Sequence, residues 1–203
     1  MIKIYGPPQS SAGRCYWCLC EVDIPFEAVA VNMREKEHKS PEFLALNPNG
    51  KVPTLDDDGY VIWESMAINT YLSEKYKPEL MGATPSVRGR VQQWSYWSIL
   101  ELQPPLIDIF IQKVFVPEEH RSQEKIDKAL ESLPGKFSIL DKALGQSSYL
   151  AGNAFTIADL NTASVASIAH HLQIDLGDYR HIQDWLGRIA QRPAFQKYME
   201  MLK

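Results

Sequence analysis

Ile2 and Ile4 alternate with Lys3 and Tyr5 until Gly6-Pro7-Pro8 stops the run, and a period of two closed by turn residues predicts a short strand. A loop with Ser10 and Ser11 follows, then residues 12–22, a stretch without a turn cluster that fits a helix and ends at Asp23-Ile24-Pro25. Residues 26–31 return to an extended pattern, so the first thirty residues read as a βαβ unit. Residues 41–46 make one or two helical turns before the breakers Asn47-Pro48-Asn49-Gly50. Residues 52–55 and 60–63 read as two strands of a hairpin, because Asp58-Gly59 between them suits a tight turn. Ile68, Tyr71, Leu72 and Tyr76 then fall at helical spacing. The order β-α-β, short helix, β-β-α predicts a mixed four-stranded sheet with helices on its faces.

Beyond Tyr76 the character changes. Lys77-Pro78 and Ala83-Thr84-Pro85 bracket a linker, and no later segment reads as a strand. Ile126, Leu130, Leu133, Phe137, Leu140 and Leu144 recur at alternating fours and threes, the apolar seam of a helix in a bundle, with a kink or break expected at Pro134-Gly135. Gln103-Pro104-Pro105 is expected to bend the first long helix of this half. Ile182, Trp185, Leu186 and Ile189 form another face, and Phe195, Tyr198, Met199 and Leu202 a last one. Thr156 and Asp159 form an S/T-x-x-D cap with Phe155 and Leu160 at the staple positions, a mark of architecture rather than chemistry. The fold class is therefore α/β followed by all-α.

Charge and composition narrow the function by exclusion. A net charge of −4, with basic and acidic residues mixed along the chain, leaves no basic run to track nucleic acid or an anionic membrane. No window approaches the roughly 20 apolar residues of a membrane helix, and the start lacks the apolar core of a signal peptide, so a cytoplasmic protein is expected. Three cysteines, Cys15, Cys18 and Cys20, crowd one segment in a pattern that suits no secreted disulfide framework. His170-His171 and His181 lack ligand spacing, and no metal is expected.

Three stretches taken together resemble the glutathione transferase superfamily over residues 2–202, most specifically over residues 2–77. Ser10-Ser11-Ala12-Gly13-Arg14 is similar to the serine with an arginine four residues later in theta, delta and phi-like classes. Residues 37–44 continue through Asn47-Pro48-Asn49-Gly50-Lys51-Val52-Pro53-Thr54-Leu55, and Trp63-Glu64-Ser65-Met66-Ala67-Ile68 is joined by Phe155-Thr156-Ile157-Ala158-Asp159 in the helical half. The resemblance implies a thioredoxin-like glutathione-binding domain over residues 1–77 and an all-helical bundle domain over residues 86–203 that contributes the electrophile site. It also implies glutathione as co-substrate, a small hydrophobic electrophile as second substrate, and a homodimer.

The chemistry makes physical sense on these residues. A free thiol of pKa about 8.5 is mostly protonated at neutral pH, and the thiolate is the nucleophile. Ser10, where strand gives way to helix, can donate its hydroxyl to the glutathione sulfur. Ser11 is the rival, and the resemblance favours Ser10 by its spacing to Arg14. Glu64-Ser65 at a helix start can offer an anion to the γ-glutamyl ammonium and a helix N-terminus to its carboxylate. The resemblance gives Val52 a backbone pairing with the cysteinyl segment, makes the Val52-Pro53 bond cis, and puts His38, Lys39 and Lys51 near the glycyl carboxylate. Met66 stands where many relatives carry arginine, and Ala12 after the serine pair departs from the zeta-type isomerase motif. Trp94, Trp97, Ile107, Phe110 and Ile111 are candidates to wall the electrophile pocket. Two alternatives stay open: a non-catalytic transferase-like module, and a thiol-disulfide oxidoreductase using Cys15-x-x-Cys18.

Overall fold

The computed structural model describes residues 1–203. They divide into two compact units, Met1–Met81 together with Ala190–Lys203, and Gly82–Ile189.

The first unit is built on strands β1 (Ile2–Tyr5), β2 (Phe26–Val29), β3 (Thr54–Asp57) and β4 (Tyr60–Trp63) in the order β2-β1-β3-β4. β1 pairs parallel with β2 and antiparallel with β3, which pairs antiparallel with β4. The β3–β4 turn places Asp58 at φ 56° and Gly59 at φ 97°, both left-handed as a two-residue hairpin demands. β2 is two residues shorter than its apolar run, and β3 begins two residues late, because Val52 and Pro53 belong to the preceding loop. Helix α1 (Gly13–Val22) is buried along its whole length, and α2 (Pro41–Leu46) and α3 (Ser65–Tyr76) complete the expected pattern.

Asp57 ties α3 to the sheet. One of its carboxylate oxygens accepts from Tyr71 Oη at 2.7 Å, Lys75 Nζ at 2.6 Å and Tyr76 Oη at 2.7 Å. Burial pushes this carboxyl up, but the three donors outweigh it and hold it below the usual value. A depressed pKa in the folded state adds stability above the unfolded carboxyl value that is lost as pH falls through the folded one. Asp57→Asn is thus expected to melt at lower temperature than the parent above roughly pH 5, with the gap closing as pH drops below about 4. Thermal melts across that range check it, and a gap that widens on acidification would contradict it.

The second unit is helical: α4 (Pro85–Trp97), α5 (Gln103–Phe110), α6 (Gln123–Leu144), α7 (Ile157–His171) and α8 (Arg180–Ala190). At Gln103-Pro104-Pro105 the chain passes from α4 through a wide π-helical turn, Ser98–Leu102, before α5 starts with its prolines in the first turn. That is where a missing N–H costs least. The expected interruption at Pro134-Gly135 is not a break: α6 runs unbroken through Pro134. Pro134 and Gly135 lie on the exposed side, where the carbonyl that proline leaves unpaired can be hydrated. The buried seam of α6 is Ile126, Ala129, Leu133, Phe137, Leu140 and Leu144, while Leu130 is 39% exposed. This set follows the 3.6-residue helical period more closely than one that includes Leu130. The small residues of α7 are buried, and Asn161 Nδ2 donates to Ser95 Oγ on α4 at 2.9 Å.

Helix α9 (Pro193–Glu200), expected within the helical half, falls with the first unit. Its amphipathic face meets Trp17 of α1. Phe195 lies edge-on to that ring at 4.8 Å between centroids, and Tyr198 stacks on it at 6.4 Å. Arg192, just before α9, forms a two-pronged bond to buried Glu21 at 2.8 and 2.7 Å, an arrangement stronger than a surface ion pair.

Candidate active site

The register of the sheet decides which loops meet. Tyr5, the last residue of β1, pairs with Val29 at the end of β2 and with Thr54 at the start of β3, and Thr54 pairs with Trp63 at the end of β4. The Ser10–Ser11 loop after β1, the segment after β2, Val52-Pro53 before β3 and Glu64-Ser65 after β4 therefore all leave one edge of the sheet. Four stretches spread over more than fifty positions in sequence become neighbours by topology alone.

In the first loop, Ser10 Oγ donates to Pro7 O at 2.7 Å and accepts from Ala12 N at 3.1 Å. Ser10 is half-buried, whereas Ser11 is exposed. Backbone bonds from Ser10 N to Pro7 O and from Gly13 N to Ser10 O, at 3.0 and 2.9 Å, set the turn independently of the hydroxyl. The helix begins at Gly13, so Ser10 stands just before its N-terminus.

Arg14, expected among the catalytic groups, is buried, and its guanidinium donates to Ser65 Oγ at 3.3 Å. Burial lowers its pKa, yet an arginine stays charged in a protein. Its place is that of a support linking α1 to the start of α3. Asn69, which the sequence reading passed over, joins the same link by donating from Nδ2 to Arg14 O at 3.3 Å.

Glu64 precedes α3 at φ 72° and ψ 116°, a positive-φ conformation that a non-glycine residue adopts only at a cost of about 1–3 kcal/mol. Its side chain is exposed beside the first turn of a twelve-residue helix, whose leading N–H groups have no partner within the helix. Ser65 is buried by contrast, and Met66 is a core residue.

The Val52-Pro53 bond is cis. Gly6 at φ 119° approaches Val52 so closely that a Cβ there would lie 2.7 Å from Val52 Cβ. Buried Asn47 organises this loop: its Nδ2 donates to Lys51 O at 2.8 Å and to Thr54 Oγ1 at 3.2 Å, and its Oδ1 accepts from Asn49 N at 3.0 Å. The sequence offered Asn47 only as a breaker. Lys39 Nζ donates to Asn49 O at 3.1 Å, and a Cβ on Gly50 would meet both His38 O and Lys39 Nζ, so His38, Lys39 and the approach to Lys51 share one neighbourhood. His38 Nδ1 is buried without a hydrogen-bond partner.

Comparison with known proteins gives the family of the chain. Residues 1–74 match the family model of the glutathione S-transferase N-terminal domain, and residues 102–193 match that of the C-terminal domain. The chain belongs to the glutathione S-transferase family. It is 34% identical to glutathione S-transferase F9 of Arabidopsis thaliana over 97% of this chain and 95% of that protein. Two solved structures superpose at a TM-score of 0.90. One is the theta class glutathione S-transferase of the citrus canker pathogen Xanthomonas axonopodis pv. citri with glutathione bound, 33% identical over 97% of this chain and 95% of that one. The other is glutathione S-transferase I from maize in complex with an atrazine glutathione conjugate, 31% identical over 98% and 97%.

In this glutathione S-transferase the cysteines are poorly placed for redox chemistry. Cys15 lies in the first turn of α1, yet it is fully buried and its thiol donates to Ser65 O at 3.6 Å. Burial pushes it well above the ordinary thiol value and pushes Cys18 up to about 12. Cys20, which is less enclosed, reaches about 11. Thiols held protonated and out of solvent are neither nucleophiles nor exchange partners. Of the candidates for the electrophile wall, Trp94 is buried with its ring edge-on to half-buried Trp97, Ile107 and Phe110 are half-buried, and Ile111 is exposed.

Proposed function

We propose that this glutathione transferase conjugates the thiolate of glutathione to small hydrophobic electrophiles, a detoxifying reaction carried out in the cytoplasm by a homodimer. One observation carries the reading: the paired row Tyr5, Thr54 and Trp63 brings a serine hydroxyl, an acidic helix start and the Val52-Pro53 segment to one edge. Glutathione needs those three features together. Its γ-glutamyl ammonium pairs with Glu64 while the adjoining carboxylate takes the N–H groups of α3, supported from below by Arg14 through Ser65. Val52 offers its backbone to the cysteinyl unit. His38, Lys39 and Lys51 face the glycyl carboxylate, for which the unpartnered His38 Nδ1 is a ready donor. That a relative 33% identical is solved with glutathione bound supports glutathione as the co-substrate.

The thiol proton passes to solvent, and Ser10 Oγ turns from Pro7 O to donate to the thiolate left behind. Ala12 N keeps donating to Oγ, which polarises the hydroxyl and strengthens its bond to an anion. The thiolate then attacks the electrophilic carbon. In a displacement the leaving group departs with the bonding pair; in a conjugate addition the resulting carbanion takes a proton from water. Lowering a thiol pKa by about 2 units needs roughly 2.7 kcal/mol, within the reach of one charge-assisted hydrogen bond plus the field of α1.

The dimer is supported by exposed aromatic surface at edge strand β4, where Tyr60 is 53% and Trp63 38% exposed. The test is calorimetric titration with glutathione beside conjugation of a generic aromatic electrophile. Binding with conjugation upholds the transferase, whereas absence of binding leaves the non-catalytic module. The cysteine-based alternative has no support from a thiol pair held protonated by burial.

A further inference from the structure

The thiol-activating loop is held by its carbonyls. Pro7 and Pro8 have no N–H to donate, so beyond the bond from Gly6 N to Val29 O at 3.1 Å the segment 6–8 is fixed through its acceptors. Each of the three is gripped by a hydroxyl. Gly6 O accepts from Tyr16 Oη at 3.0 Å, Pro7 O from Ser10 Oγ at 2.7 Å, and Pro8 O from Tyr198 Oη at 3.4 Å. The first two come from the loop and the helix that follows it, whereas the third comes from α9, 190 residues away in sequence. Gly13 leaves the notch that admits Tyr198, since a Cβ there would collide with both Pro8 O and the Tyr198 hydroxyl. The ring is set by its stack on Trp17 and by Phe195, and the start of α9 is pinned by Arg192 on Glu21.

We propose that Tyr198 is a positioning residue for thiol activation, its hydroxyl anchoring Pro8 so that the C-terminal helix fixes the Ser10 loop. The consequence follows from the chemistry of the serine. To serve the thiolate, Ser10 must turn its hydroxyl away from Pro7 O, which leaves that carbonyl to the backbone bond from Ser10 N at 3.0 Å. The outer two, Tyr16 on Gly6 and Tyr198 on Pro8, then hold the turn at its width while the hydroxyl points at sulfur. Without Tyr198 the backbone bonds still set the turn, but its Pro8 end is no longer held from α9, and the hydrogen bond to the thiolate lengthens. The effect belongs to the anionic state and leaves the binding of the rest of glutathione alone.

The inference rests on the reading that this loop activates the thiol, and the experiment separates the two. On the full-length protein, Tyr198→Phe, Thr156→Ala, Ser10→Ala and Ser11→Ala are compared for glutathione affinity, melting temperature, ultraviolet absorbance of the bound thiolate and the pH profile of kcat/KM. Tyr198→Phe keeps the ring and loses only the hydroxyl. It is expected to raise the pH midpoint by about half a unit, which lowers kcat/KM below that midpoint about threefold, with the gap closing at alkaline pH and glutathione affinity unchanged. Thr156→Ala, in the second unit, weakens the fold without touching α9 or the loop and is expected to lower the melting temperature with no shift in midpoint. An unmoved midpoint in Tyr198→Phe, or an equal shift in Thr156→Ala, overturns the proposal while a serine-dependent midpoint keeps the function. If neither serine variant moves the midpoint, the reading of the loop itself falls, and this inference with it.

Discussion

Ser10→Ala is expected to lower kcat for conjugation at neutral pH by about 100-fold, with glutathione affinity changed less than about threefold. The size follows from linkage: a thiol whose pKa rises by about 2 units loses close to two orders of magnitude of thiolate at a pH below both values. The defect should therefore shrink as pH rises and glutathione ionises unaided, so the pH profile matters more than any single rate. Loss of the hydroxyl also removes the bond to Pro7 O and the acceptor for Ala12 N. Those cost about 1 kcal/mol of stability, because the backbone bonds of the turn persist. Ser11, exposed on the same turn, is the internal control, and Ser11→Ala should stay within about threefold of the parent. Ser10→Thr restores a hydroxyl and should recover part of the rate. A crippled Ser11→Ala beside a normal Ser10→Ala would reverse the assignment and leave the rest of the site standing.

Much of the first unit was legible because its signals are local. Period-two runs, the Asp58-Gly59 turn and the proline-flanked helix Pro41–Leu46 each carry their own chemistry, and the observed elements fall on or within two residues of them. What the sequence could not supply was long-range. The amphipathic pattern of Phe195 and Tyr198 announces a helix with a face to bury but not the surface it covers, and that surface turned out to be Trp17 of α1. The same limit applies to Arg14. The sequence shows its spacing to Ser10 but not that its guanidinium reaches Ser65, 51 residues away. Asn47 and Asn69 were missed for a related reason: a buried amide that organises a loop looks, in sequence, like any turn former or polar helix residue. At Pro134 the sequence left both a kink and a break open, and the helix continues through it, because a proline on the exposed side of a long helix need not end it.

Asp159→Ala should be among the most damaging single changes in the second unit, costing about 3–5 kcal/mol of stability. The carboxylate is fully buried and both of its oxygens are used. Oδ1 accepts from Leu150 N at 2.9 Å and from Trp185 Nε1 at 3.0 Å, while Oδ2 accepts from Thr156 N at 3.0 Å and Thr156 Oγ1 at 3.1 Å. One side chain thus caps the start of α7, closes the turn before it and anchors α8 through Trp185. Burial pushes its carboxyl up against the pull of those four donors, which is the tension expected of a group that structure rather than solvent must satisfy. Alanine would strand four donors at once, and each stranded buried donor is worth about 1–3 kcal/mol before relaxation. Asparagine is a poor substitute too, since its NH2 would face donors where an acceptor is required. Thr156→Ala, which loses only the hydroxyl, should cost about 1 kcal/mol. Trp185→Phe removes one donor together with its acceptor's claim, so its effect should be smaller in an Asp159→Ala background than in the parent, a coupling that a double-mutant cycle in denaturant reads directly. If Asp159→Ala costs no more than Thr156→Ala, the residue is a helix cap and not the junction of three segments.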